Sequence, residues 1–500
     1  MTLNLSIMNA LSGLRVAQRA FDTVSQNVAN AQTPGYTRKV LPQESTIVGG
    51  TGAGVRALEL ERVVDANLQQ ELRRQWGTLA GQDVTESYLA RIEQLQGRPE
   101  DETSLASAFT RFQTAFEKLS ATPEQRSAQL DVITQADSLA SQLNSVSQQI
   151  LDLRNQTQDD IQSTVQDING RLRRIGELND KIVEGTQMGR STADLEDLRD
   201  QEMMELGKLM DVSTVRTTDN RMIVMTRSGQ TLVERTVQQF DFVPERLNHD
   251  SYYRASPPGT ISGITLRGSG RDVTSVLGGG TIGALLDLRD ATLPKLQAQM
   301  DEFAQKMAQR FEAQGMTLFT DRNGGVPQDV LGGYVGFAAS IQVTAAATDN
   351  PEFVRYGDSG PPASPPDMAV ANSRIMNILN YAFGNSADAG GSPHAPFRTS
   401  NLGPDAFAKI GTGLPATMNL ADYIRSLVVS QGQMRADVTA MKAQTEELTT
   451  ALESKVSNMS GVNLDTEMAQ MTILQRSYAA SAQILQVSQQ LMDELLAAVR

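Results

Sequence analysis

Apolar residues recur at alternating spacings of four and three over most of this chain, the mark of helices that bury one stripe. Residues 6 to 30 place Ile7, Leu11, Leu14, Phe21 and Val28 on one such seam, with Gln18 and Ser25 at its remaining positions. Ser6 reads as the N-cap. Pro34-Gly35 ends the pattern, since proline cannot continue a helix and Pro-Gly suits the centre of a type II turn. From about 60 to 210 three further seams follow: Leu105 to Leu119, Leu139 to Leu153, and Ile161 to Ile182. Gly97-Arg98-Pro99 and Thr122-Pro123 punctuate them, the second reading as cap plus first-turn proline.

The period changes to two in the segments Val212 to Arg216, Arg221 to Thr226 and Thr231 to Val237, rich in Val, Ile and Thr and separated by turn residues. Helix returns at Ile282 and persists to Phe311, with a kink or break expected at Pro294. Residues 320 to 415 are rich in Pro, Gly, Ala, Ser and Asn and read as either a loop-rich β insertion or a partly mobile surface. Met434, Val438, Met441, Leu448 and Leu452 make the next helix, and a last one starts near Asn463, a good N-cap with Asp465 and Glu467 in its first turn.

That last helix is about 50 Å long at about 1.5 Å per residue and carries two apolar stripes. Leu464, Met468, Met471, Tyr478 and Leu485 are expected to pair with Leu11, Leu14, Phe21 and Val28 of the first helix. Ile473, Ile484, Leu491 and Leu495 are left for contacts outside the chain. The fold class follows: mainly α with β-rich insertions, elongated and multidomain, with coiled-coil-like paired termini. The expected divisions are a terminal helical domain (1–55 with 456–500), a long helical bundle (56–210 with 281–318 and 419–455), a β-rich insertion (211–280), and a loop-rich or β insertion (319–418).

Composition narrows the function. With 44 basic against 58 acidic residues, a net charge of -14 and no Lys/Arg-rich run, nucleic acid is not an expected partner. No segment approaches membrane-spanning length, and the N-terminus lacks the charged and apolar regions of a cleaved signal peptide. Absence of cysteine leaves the fold independent of redox compartment. Aromatics make up only 5% of residues, which points to aliphatic seams rather than ring-filled cores.

No cofactor or metal is expected. Gly278, Gly280 and Gly283 match a dinucleotide-binding spacing, but the helical pattern that follows leaves no room for the second parallel strand. Asp321-Arg322-Asn323-Gly324-Gly325 lacks the downstream ligand of a calcium loop and reads as a turn. His249 and His394 lie in polar, loop-like sequence and build no catalytic triad.

The stretch SQNVANAQTPGYTR, Ser25 to Arg38, resembles the N-terminal signature of bacterial flagellar rod, hook and hook-associated proteins. Asn27, Asn30, Thr33, Pro34, Gly35, Tyr36 and Arg38 fall on that motif. Segments Asp194 to Val215, Gly279 to Ala304 and Ser460 to Leu485 are similar to parts of the hook-associated protein 1 family, in the right order. This resemblance implies a non-enzymatic structural subunit of the extracellular flagellum, forming the junction between hook and filament. It further implies self-association in a ring or helical layer, contact with the hook protein and a second junction protein, and type III export with an export chaperone on the last helix. The alternatives are another axial protein, such as a hook or distal rod subunit, and an exported peptidoglycan hydrolase.

Overall fold

The computed structural model describes residues 2–48, 51–97, 101–361 and 368–498. Arg98 and Pro99 of the first punctuation, and Pro362, Pro365 and Pro366 of the loop-rich stretch, lie outside the described residues. The chain begins with α1 (Thr2–Ala29), β1 (Lys39–Val40), β2 (Gln43–Val48), β3 (Thr51–Ala57) and β4 (Glu61–Arg62). Helices α2 (Ala66–Gln96), α3 (Leu105–Ala121), α4 (Arg126–Gln187) and α5 (Ala193–Leu209) follow. Then come β5 (Val212–Arg216), β6 (Met222–Thr226), β7 (Thr231–Val233), β8 (Phe240–Asp241) and β9 (Thr265–Leu266). Helices α6 (Gly280–Asp287) and α7 (Leu293–Ala313) precede β10 (Phe319–Thr320), β11 (Gln342–Val343), α8 (Ala345–Asp349), α9 (Phe353–Tyr356) and α10 (Met368–Asn377). The chain closes with α11 (Leu420–Ser460) and α12 (Leu464–Ala498). The fold is mainly α with small antiparallel sheets, as the periodicity predicts.

Local boundaries depart from expectation where backbone hydrogen bonds decide them. Helix α1 starts at Thr2, so Ser6 lies inside it rather than capping it. The Thr122 N–H bonds back to Leu119 O at 3.2 Å and closes α3, and α4 begins only at Arg126, so Pro123 sits in the turn. Pro294 does not break its helix. It has no N–H to donate, and the π-turn Leu288–Thr292 just before it absorbs the mismatch between α6 and α7.

Contacts divide the chain into two units: residues 1–79, 167–239 and 444–500 form one, and residues 80–166 and 240–443 the other. The stretch 211–280 therefore contributes its three-stranded sheet β5-β6-β7 to the first unit and β8-β9 to the second. In the second unit the rings are gathered rather than dispersed. Phe112 meets Phe116, Phe311, Phe319 and Phe383 at centroid separations of 5.3 to 5.6 Å. A low overall aromatic content thus still supplies one ring-filled core, because the phenylalanines are concentrated there.

Helix α7 is buried on every face, and its polar side chains organise the loop-rich stretch that periodicity leaves unread. Asp301 accepts the Gly336 and Ala338 N–H groups at 2.8 and 2.9 Å, Glu302 accepts the Arg398 N–H at 2.7 Å, and Lys306 pairs with Asp329 at 2.9 Å. A buried carboxylate is stable only when such donors surround it. The glycines at 278–283 form a tight entry to α6 instead of a βαβ crossover, and a Cβ on Gly283 would lie 3.0 Å from the Gly278 carbonyl carbon. Asp321 Oδ1 accepts the N–H groups of Asn323 and Gly325, both at 2.8 Å, which makes that loop an Asx turn.

Candidate assembly site at the paired chain ends

In the first unit α1 packs along α12, and a short turn returns the chain after α1. The turn spans Thr33 to Tyr36 and is closed by the Tyr36 N–H on Thr33 O at 3.1 Å. Gly35 has φ +75, the positive value that the third residue of a type II turn requires. A Cβ there would lie 2.1 Å from Gln201 Nε2, whose amide donates to Pro34 O. The positive φ requires glycine, and any larger residue would also displace the Gln201 side chain.

Asn27, in the last turn of α1, fills all of its hydrogen-bonding capacity. Its Nδ2 donates to Lys39 O at 2.9 Å and to Glu467 Oε2 at 3.0 Å. Its Oδ1 accepts from the Tyr36 hydroxyl at 2.9 Å and the Lys39 N–H at 3.0 Å. Glu467, 1% exposed in the first turn of α12, also receives Arg38 Nε at 2.7 Å, and the Arg38 N–H donates to Ser460 O at 2.8 Å. Asn27, Tyr36, Arg38 and Glu467 thus form a clasp that fastens the start of α12 to the end of α1. Asn30 and Thr33 play a local part: the Thr33 hydroxyl donates to Asn30 Oδ1 at 3.2 Å on an exposed surface.

A second layer lies behind the clasp. Pairing of β1 with β4 sets Lys39 opposite Arg62, which brings both cations to the acidic first turns of α5. Arg62 meets Asp197 at 2.8 Å, Glu196 at 3.2 Å and Asp200 at 2.5 Å, the Thr37 hydroxyl donates to Asp197 at 2.6 Å, and Lys39 pairs with Asp194. The Lys39 ammonium also lies 4.3 Å over the Tyr36 ring. Burial, followed by the charges of Asp194, Asp197 and Glu467, pushes the Tyr36 hydroxyl up to about 12. Burial raises Glu196, but hydrogen bonds from Thr192 and Asn220 and the charges of Arg62 and Arg216 outweigh it and hold the carboxyl below its ordinary range.

The helix seam itself is displaced from the expected one. Ala20, Val24 and Leu474 form its core, flanked by Val28, Leu41 and Met471. Among the described side chains of α1 the buried positions are Ala10, Val16, Ala17, Ala20, Thr23, Val24 and Asn27, while Leu14 and Phe21 are half-buried and Leu11 is exposed. On α12 Met471 and Leu485 are half-buried, whereas Leu464, Met468 and Tyr478 face solvent. Small residues account for the shift: a Cβ on Gly13 would lie only 3.3 Å from Ser481 Oγ, so the helices approach along Gly13, Ala17 and Ala20 rather than along the bulky stripe. Ile473, Ile484 and Leu491 are 63%, 51% and 47% exposed, and the side chain of Leu495 lies outside the description.

Sequence reasoning placed Tyr36 and Arg38 but missed their partners Lys39, Arg62, Asp197 and Glu467 as a set. Their signal was present in the repeated carboxylates of Asp194 to Asp200 and in the acidic first turn of α12. Among the described residues no group of three or more His, Asp or Glu could hold a metal ion, and no helix is long and apolar enough to cross a membrane.

A chain that clasps its own two ends and leaves apolar helix faces uncovered has the design of an assembly subunit. Three family models match it: flagella basal body rod protein over residues 7–37, flagellar hook-associated protein FlgK helical domain over 89–326, and flagellar basal body rod FlgEFG protein C-terminal over 453–498. The chain is 25% identical to flagellar hook-associated protein 1 of Escherichia coli strain K12 over 98% of its length and 99% of the relative's. It is 22% identical to flagellar hook-associated protein 1 of Bacillus subtilis strain 168, over 98% and 97%. The flagellar hook junction protein FlgK from Burkholderia pseudomallei aligns at 26% identity with a TM-score of 0.42, over 52% of this chain and 45% of that one. The two ends thus define a flagellar axial protein. The chain belongs to the flagellar hook-associated protein 1 family, which its helical middle distinguishes from the rod proteins that share the ends.

Proposed function

We infer that the chain is a structural, non-enzymatic subunit of the bacterial flagellum at the junction between hook and filament, where it assembles with copies of itself. The observation that carries this reading is the clasp of Asn27, Tyr36, Arg38 and Glu467, which spends the axial motif on joining the two terminal helices rather than on any chemistry. Neighbours on either side are the hook protein and a second junction protein. The exposed residues Ile473, Ile484 and Leu491, together with Leu495 of the same helix, serve as contacts to neighbouring subunits and, before assembly, to an export chaperone. A chaperone is physically motivated, because an uncovered apolar rod associates prematurely. Export runs through the flagellar type III apparatus, and the protein resides in the extracellular flagellum.

Electron microscopy of a strain lacking the gene tests the reading. Hooks without filaments are expected, restored by the full-length chain. Normal filaments on the deletion strain would remove the junction role, and hookless basal bodies would move the protein to the rod or hook.

A further inference from the structure

We propose that the cleft beside the Thr33–Tyr36 turn receives the outer face of α12 from a second copy of this chain, with Arg73 pairing the incoming Glu494. The proposal rests on the self-assembling role inferred above and names the receiving surface. The cleft, about 680 Å³, lies within the first unit, and its apolar walls come from Leu72 and Trp76 of α2, Met204 of α5 and Val456 of α11.

One cation in this cleft lacks a partner. Arg73 is half-buried, and its guanidinium makes no hydrogen bond or ion pair with any described residue. Burial pushes its guanidinium below its ordinary value against the pull of Asp200 and Asp211. Those two carboxylates are committed elsewhere, Asp200 to Arg62 at 2.5 Å and Asp211 to Arg227 at 3.7 Å. Lys208 is likewise engaged, with Glu205 at 2.7 Å and the Trp76 ring at 4.8 Å. The space for Arg73 is kept by Gly207, where a Cβ would lie 2.2 Å from Arg73 Cγ. A desolvated guanidinium against apolar walls is suited to an apolar segment that carries one carboxylate.

Helix α12 offers that segment. Ile484, Val487, Leu491 and Glu494 recur at helical spacing on one face, and the three apolar members are 51%, 48% and 47% exposed. The segment cannot be the chain's own. Val462 lines the cleft and α12 starts at Leu464, so Ile484 lies about 30 Å further along a continuous helix. The occupant therefore comes from another copy, and a contact between two different surfaces of identical chains propagates into a ring or a helical layer.

The absence of native cysteine makes the test clean. In flagella isolated from cells producing the full chain with Arg73→Cys and Glu494→Cys, a short bis-maleimide is expected to yield a ladder of three or more linked copies. Either single variant should stop at dimers. A double variant that enters flagella yet gives no ladder overturns the cleft assignment while leaving self-assembly intact. Absence of the wild-type chain from isolated flagella overturns the assembly reading instead. Should the cysteine pair fail to incorporate, charge exchange decides. Arg73→Glu and Glu494→Arg should each lower incorporation about tenfold, the effect of losing about 1.4 kcal/mol, and the two together should restore it. Failure of the exchange to restore incorporation overturns the pairing.

Discussion

At the scale of single residues, the clasp turns a short motif into a set of non-interchangeable groups. Asn27 uses both donors and both acceptor positions, so an aspartate there would set a second carboxylate against Glu467. Tyr36 supplies a pH signature. Its folded value is raised from 10.0 to about 12, so the neutral phenol contributes stability that is fully present below pH 10 and is lost as pH rises through 12. Tyr36→Phe should therefore cost about 1 kcal/mol at neutral pH through the missing bond to Asn27 and should flatten the alkaline loss. Paired thermal melts of wild type and variant at pH 8 and above pH 10 measure this, and parallel alkaline losses in the two would refute it. Gly35→Val should cost about 1–3 kcal/mol from φ alone, with the contact to Gln201 added. A Gln201→Ala background should recover only part of the loss, read as the chemical denaturation midpoint. Full recovery would mean that crowding, not φ, is the constraint.

At the scale of elements, the α1–α12 pair separates what sequence made legible from what it hid. Both helices, the Pro-Gly turn and the Asn463 cap were readable, because each has a local cause; Asn463 Oδ1 does accept the Asp465 and Thr466 N–H groups at 3.0 and 3.1 Å. The seam was not readable, since pattern analysis weights bulky side chains and the close approach here runs along Gly13, Ala17 and Ala20. The loop-rich stretch after α7 stayed illegible for a different reason. Its order comes from long-range hydrogen bonds to Asp301, Glu302 and Lys306, which leave no periodic trace. The displaced seam makes a comparison that the bulky stripe would reverse. Ala20→Leu should destabilise the terminal pair by about 1–3 kcal/mol through overpacking, whereas Leu11→Ala, at an exposed position, should stay within about 0.5 kcal/mol of wild type. Protection of α12 from limited proteolysis reports both, and a larger loss in Leu11→Ala would restore the expected seam.

At the scale of the whole molecule, the two faces of α12 have different work. Leu474 and Glu467 hold the helix to its own chain, and Ile484 and Leu491, 51% and 47% exposed, lie outside that buried cluster. Replacing both with Asp leaves the clasp and the seam untouched, so the chain should fold and be secreted. In the flagellum the same carboxylates would be desolvated at a contact between copies, at a cost of several kcal/mol, more than one weak contact absorbs. Incorporation should then fail while the amount in the medium rises. The measurement is the ratio of subunit in culture medium to subunit in isolated flagella. A double variant that still carries filaments on its hooks would show that this face is not an assembly surface. One that never leaves the cell would show instead that the face is read before assembly, by the chaperone or the export apparatus.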